Sequence, residues 1–355
     1  MKSMIVTLYY FRLIDAQMVP AQDTAARSTS LGSFNWLEYH NLEQIHAWLD
    51  ELQAMYPDVV STVTIGNSNE GNPIKGVIIN YNSADPYPLI GMIEGGIHSC
   101  EWISPATVTW IIKEFLTSED SDIRFLAEAF VWHIFPVVNP DGYLYTFSEV
   151  SRIVISTTGA SSNPCDQTYA GPSPESEPEA QAISSYVRNL KGDGKFLYYF
   201  AFHSFLQMVL IPFSHTSGFD VLEADNYADL VRCSEVSDVN SIYFTIKTDC
   251  ASVDYSGYEY SITGTLTGSS FDWVKGVANI PIVLLFELRD RGQFGFLLPA
   301  DQIIPNNEEV MAGLVEMDKT ARMLKYYQYQ GSSGAISSPF FASIFVSSLF
   351  LMFFK

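Results

Sequence analysis

Basic residues are scarce in this chain. It has 19 lysines and arginines against 40 acidic residues, for a formal net charge of −21. Such a field repels a phosphate backbone and argues against nucleic-acid binding. Charged residues of both signs make up only 17% and hydrophobic residues 47%, which rules out disorder for most of the chain and allows a sizeable core. Cysteine is sparse too. The four, Cys100, Cys165, Cys233 and Cys250, stand in no CxxC or CxxxC spacing, which argues against a thiolate zinc site. A disulfide is neither required nor excluded. No internal repeat and no second domain boundary is visible.

The two ends read differently from the middle. MKSMIVTLYYFRL opens with a basic residue and a short apolar run, Met4 to Phe11, cut off by Arg12. Residues 1–30 therefore read as a weak signal peptide or a disordered leader. At the other end, small residues Gly331 to Gly334 precede a short polar stretch, and Phe340 to Phe354 is almost wholly apolar. That order is the one a GPI-attachment signal requires. A retained membrane helix over Ile336 to Phe354 is the alternative. Either way residues 329–355 form a tail for the membrane, residues 31–328 form the domain, and the protein travels a secretory route to the cell surface or outside.

Within the domain, apolar residues at helical spacing predict a helix over Leu42–Met55, ended by Tyr56-Pro57. VVSTVTIG and Ile74–Asn80 read as a hairpin around the turn cluster NSNEGNP. Pro88–Gly95, Ala129–Val138, Phe196–Phe202 and Ile280–Phe286 read as buried strands, the second closed by a turn at Asn139-Pro140-Asp141-Gly142. Pro105–Leu116, Glu177–Leu190 and Glu308–Tyr327 read as helices. Strands alternating with helices predict an α/β fold with helices on both faces of one sheet.

Polar residues then stand where apolar strands stop. His98 and Glu101 follow Ile90–Ile97, His203 follows Phe196–Phe202, and Glu287 follows Ile282–Phe286. In covered sheets, ligands gather at the carboxyl ends of strands. Two histidines and a carboxylate with an open fourth position make a catalytic zinc site, and a further carboxylate is needed to move the proton of the attacking water. His98, Glu101 and His203 are the candidate ligands and Glu287 the candidate base. The alternative for each histidine is a satisfied core residue. His40, His46, His133 and His215 read as surface or core residues.

At these residues the chain resembles the zinc metallocarboxypeptidases of the A/B type. GIHSCEW carries their His-x-x-Glu-Trp motif, and PVVNPDGYLYT, FHSFLQMVLIPF, GSSFDW and FELRDRGQFGFLLPADQIIP follow in the family's order over Trp36 to Lys325. The resemblance implies one zinc ion per chain held by His98, Glu101 and His203, with Glu287 as general base and acid. It implies a mixed twisted sheet of about eight strands between helices, and substrates that are peptide or protein C-termini. Phe271, before Asp272-Trp273, would line the floor of the side-chain pocket and favour apolar C-terminal residues. The apolar tail is most similar to that of the membrane-anchored carboxypeptidase O type.

Departures from the family pattern comprise one contiguous loss and two further positions. Relatives carry Trp-Arg-Lys-x-Arg and Asp-x-Asn-Arg-Asn between the Asn-Pro-Asp-Gly sequence and a Ser-Pro-Cys stretch. Here Tyr143 to Cys165 is shorter and holds a single arginine, Arg152. Cys100 stands where relatives have arginine, and Gly264 where they have a mobile tyrosine. The alternative function is therefore an inactive zinc-binding relative acting as a binding protein.

Overall fold

Apolar runs without helical period become the centre of the sheet. The computed structural model describes residues 29–147, 172–173, 175–214, 222–234, 245–247 and 269–328. Both tail predictions, Arg152, Cys165, Gly264 and the shortened segment beyond Phe147 lie outside the described residues.

The chain starts with a two-residue ribbon, β1 (Ser30–Leu31) and β2 (Phe34–Asn35), then α1 (Leu42–Met55). The boundary of α1 is written in its cap. The Asn41 side chain accepts from the Gln44 amide, and the Gln44 side chain accepts from the Asn41 amide, at 2.9 Å each. The hairpin β3 (Val60–Asn67) and β4 (Pro73–Ile79) leads to β5 (Leu89–Gly95), α2 (Ile103–Thr117), α3 (Ser121–Ala129) and β6 (Phe130–Phe135). Then come α4 (Pro140–Thr146), α5 (Pro178–Asp193), β7 (Lys195–Ser204), β8 (Met208–Leu210), α6 (Tyr227–Ser234) and β9 (Thr245–Lys247). The last elements are α7 (Ser270–Trp273), β10 (Ile282–Leu288) and α8 (Ile303–Met323).

Eight strands form one mixed sheet in the order β3-β4-β6-β5-β7-β10-β8-β9. The central four, β6, β5, β7 and β10, run parallel, and the outer pairs are antiparallel apart from β8 with β9. Alternation along the central strands divides the core in two. Phe200, Phe202, Leu284 and Phe286 face one side, packed with residues of α1, α2, α3, α6 and α8. Tyr199, Ala201, Val283 and Leu285 face the other, packed with residues of α5 and α7. The expected α/β sheet with helices on both faces is present.

Two local readings are corrected. The segment after Thr117 is not a plain link to the next strand. Asp120 accepts from the amides of Asp122 and Ile123 at 2.9 and 3.2 Å and so caps α3, which the sequence reading omitted. Asn139-Pro140-Asp141-Gly142 is not a closing turn but the start of α4. The Asn139 side chain accepts from the Gly142 amide at 3.0 Å, and Pro140 takes a first-turn position, where its missing N–H costs nothing.

His133 shows how burial tunes one core group. It lies on β6 with its Nδ1 2.7 Å from the Tyr186 hydroxyl, and burial lowers its pKa from 6.5 to about 4. The folded protein therefore binds fewer protons than the unfolded chain between those values. This group's stabilising contribution is whole above pH 6.5 and shrinks as pH falls towards 4. The expected slope is about 1 kcal/mol per pH unit. Urea unfolding at several pH values should show a shallower acid slope in His133→Gln than in wild type. Equal slopes would contradict the assignment.

Candidate active site

The three central strands that end together carry the predicted groups. Alternation puts His203 on the same sheet face as Tyr199 and Ala201, and Glu287 on that of Val283 and Leu285. Parallel pairing sets Glu287 directly beside His203. The third strand, β5, hands the chain to α2 through a short connection that bears His98 and Glu101.

Two glycines make that connection possible. Gly95 sits so close to α2 that an added Cβ would come within 2.8 Å of Ser104 Oγ and 2.9 Å of Val108 Cγ2. Gly96 has φ +64, in the left-handed region that a β-carbon disfavours. The connection is then pinned from the segment after β6, since Val138 N donates to Gly95 O at 3.0 Å and Asn139 Nδ2 to Ile97 O at 3.1 Å. Beyond it the Glu101 amide donates to His98 O at 3.2 Å, which folds the two side chains towards one point.

His98 Nδ1 lies 2.9 Å from Glu101 Oε1, His203 Nδ1 lies 3.1 Å from Glu101 Oε2, and the two Nδ1 atoms are 3.1 Å apart. Glu101 and His203 are buried, and His98 lies on the open side. The buried Glu101 Oε2 meets His203 Nδ1 only as a close contact, off hydrogen-bond geometry. Two ring nitrogens and a carboxylate pointing at one another are mostly lone pairs. Protons can satisfy part of such a set, and a single cation satisfies all of it. Donors on a tetrahedral zinc at about 2.1 Å stand roughly 3.4 Å from each other, close to the separations seen. By geometry and donor chemistry these residues fit the ion.

Charge follows the same layout. Burial disfavours a charged Glu101, but the two histidines outweigh it and hold the carboxyl below its usual range. For His98, desolvation pulls the pKa down and the Glu101 carboxylate more than offsets it, for a net rise. Glu287 is pushed well above the ordinary carboxylate range, by burial first and by the charge of Glu101 second. A cation among the three donors would reverse that second effect and favour ionised Glu287.

Phe271 is fully buried on α7, packed with residues of the face that carries His203 and Glu287. Beside it, Asp272 accepts from the Ser214 amide at 3.0 Å and the Ser214 hydroxyl at 2.8 Å, tying α7 to the chain after β8. The sequence reading missed Glu94. It is 1% exposed, takes a hydrogen bond from the Ser270 hydroxyl, and leaves Oε2 unpartnered. Burial raises its pKa. Only its place in an otherwise apolar strand could have flagged it. Cys100 and Cys233 are free thiols.

A sequence model of the zinc carboxypeptidase family, peptidase M14, matches residues 45–313. The chain belongs to that family. It is 37% identical over 321 residues to zinc carboxypeptidase A 1 of Anopheles gambiae, covering 83% of this chain and 71% of that protein. It is 29% identical over 353 residues to human carboxypeptidase O, covering 89% and 91% respectively. Among solved structures it resembles thrombin activatable fibrinolysis inhibitor, with a TM-score of 0.68 and 25% identity over 83% of this chain and 77% of that one. The fold and family implied by the sequence motifs are those found.

Metal uptake should register as stability. Zinc at about 100 times its dissociation constant is expected to stabilise wild type by about 2.7 kcal/mol. His203→Ala should lose that thermal shift while its metal-free melting point changes little. An undiminished shift in His203→Ala would contradict the site.

Proposed function

We propose that this chain is a zinc-dependent carboxypeptidase in which His98, Glu101 and His203 hold the ion and Glu287 moves the proton. The observation that carries this reading is the mutual approach of those three side chains beside Glu287, within a chain of the zinc carboxypeptidase family. Its chemistry is hydrolysis of C-terminal residues from peptides and proteins. The alternative of an inactive relative has no support from the comparisons, where the relatives bear carboxypeptidase names.

Bound zinc would act as a Lewis acid, polarising the scissile carbonyl and easing deprotonation of water. The protein's own part is to hold that geometry and to manage protons. Glu287 accepts a proton from water as its oxygen attacks the carbonyl carbon. It returns the proton to the amide nitrogen as the C–N bond breaks, so the products are a shortened peptide acid and a free amino acid.

Phe271 supplies an apolar floor for the C-terminal side chain, and charged side chains are disfavoured there for want of a partner. Residues 31–328 form the catalytic domain, residues 1–30 a leader, and residues 329–355 an anchor that keeps the enzyme outside the cell at the membrane. The apolar run Phe340 to Phe354 supports the anchor, and among the described residues no helix is long and apolar enough to cross a membrane.

Turnover of blocked dipeptides should favour apolar over charged C-terminal residues. Glu287→Gln should lower kcat about 100- to 10,000-fold while zinc stoichiometry stays at wild type. Full activity of Glu287→Gln, or a preference for charged residues, would defeat the corresponding assignment. For the tail, release from cells by a phosphatidylinositol-specific phospholipase is the expected result. Retention after that treatment would favour a membrane helix, and a protein free in the medium would remove the anchor.

A further inference from the structure

A single serine, through its hydroxyl and its amide, touches all three segments that bear the candidate ligands. Ser104 lies on the first turn of α2, three residues beyond Glu101, and is 0% exposed. Its Oγ accepts from the Gly96 amide at 3.0 Å and donates to the Phe202 carbonyl at 2.6 Å. Its own amide donates to the Glu101 carbonyl at 2.9 Å. Gly96 is two residues before His98, and Phe202 is the residue before His203.

The place of this hydroxyl in the sheet gives it meaning. The ladder between β5 and β7 ends at the pair Gly95 and Phe202. One step further on, the two strands part so that their side chains can approach a common point. That parting separates a buried N–H from a buried C=O, which are costly to leave unpaired. The Ser104 hydroxyl stands between them as acceptor for one and donor to the other. It therefore sets the gap between the strand ends, and the absence of a β-carbon at Gly95 is what lets it reach that place.

We propose that Ser104 is a positioning residue for the metal site, holding the Gly96–His98 and Phe202–His203 segments at the spacing the ion requires. Without its hydroxyl the N–H and C=O either stay unpaired or close on each other, and both outcomes move His98 relative to His203. The inference rests on the assignment of His98, Glu101 and His203 as ligands. It reaches beyond that assignment because Ser104 touches neither ion nor substrate.

The test compares Ser104→Ala with Ser104→Thr and with Thr109→Ala in the full chain. Thr109 also has a buried hydroxyl on α2, but its partners are Trp36 Nε1 and the Ala106 carbonyl, remote from the ligand segments. Zinc affinity is read by competition with a chelator, site geometry by the visible spectrum of the cobalt-substituted protein, and the Gly96 amide by hydrogen exchange. Ser104→Ala should bind zinc about 10- to 100-fold more weakly, with an altered cobalt spectrum and faster Gly96 exchange in the metal-free state. Thr109→Ala should keep wild-type affinity even where its melting point falls as far, and Ser104→Thr should recover most of the loss. If Ser104→Ala does not fold, Ser104→Cys, with its weaker hydrogen bonds, should show a smaller loss in the same direction. Wild-type zinc affinity in the Ala or Cys variant, or an equal loss in Thr109→Ala, would overturn the inference while leaving the ligands in place. Failure of the wild-type protein to take up zinc would instead remove the ligand assignment, and the inference with it.

Discussion

Three electron-rich atoms held within hydrogen-bonding distance of each other are the constraint on which the rest depends. The Nδ1 atoms of His98 and His203 and the carboxylate of Glu101 meet across a chain separation of about 100 residues, within 4.8 Å of one another. Protons relieve such a meeting only in part, and the buried Glu101 Oε2 meets His203 Nδ1 at 3.1 Å off hydrogen-bond geometry. A fold does not keep that arrangement for stability, because lone pairs facing lone pairs oppose folding. A divalent cation turns the same convergence into the most favourable contact in the region.

Much of the architecture serves that convergence. Parallel pairing of β5, β7 and β10 brings three strand ends to one edge, and strand alternation gives His203 and Glu287 a common face. Gly96, in the left-handed region, turns the chain as it leaves β5 towards His98. After β10, Asp290 accepts from the amides of Gly292, Phe294 and Gly295 at 2.7 to 3.0 Å, which fixes the chain beyond Glu287. Burial raises the pKa of both carboxyl groups, and their neighbours then divide them by role. Glu101, between two imidazoles, is held ionised, and Glu287, without a positive neighbour, is drawn towards protonation.

The features legible in the sequence were those with a local cause. Helix α1 follows from apolar residues at helical spacing stopped by Tyr56-Pro57, and the central strands from apolar runs closed by polar residues. The convergence of His98, Glu101 and His203, the candidate ligands, was legible because their types stand at strand ends and their spacing matches a family. Features that depend on distant partners were not legible. The Ser104 hydroxyl finds its acceptor 98 residues away and Glu94 its donor 176 residues away. Asn139-Pro140-Asp141-Gly142 carries the residues of a turn as well as those of a helix start. Its choice is settled by Asp141, which accepts from the Asn72 side chain and the Glu70 amide in the β3–β4 turn. Strand order, with β6 inserted between β4 and β5, had no sequence signal at all.

Anomalous diffraction at the zinc edge, on crystals grown with one equivalent of zinc, tests the central claim most directly. The account predicts a single strong peak bounded by His98 Nδ1, His203 Nδ1 and a Glu101 carboxylate oxygen, each at about 2.0 to 2.2 Å. A peak elsewhere in the molecule, or none among these three side chains, would contradict it.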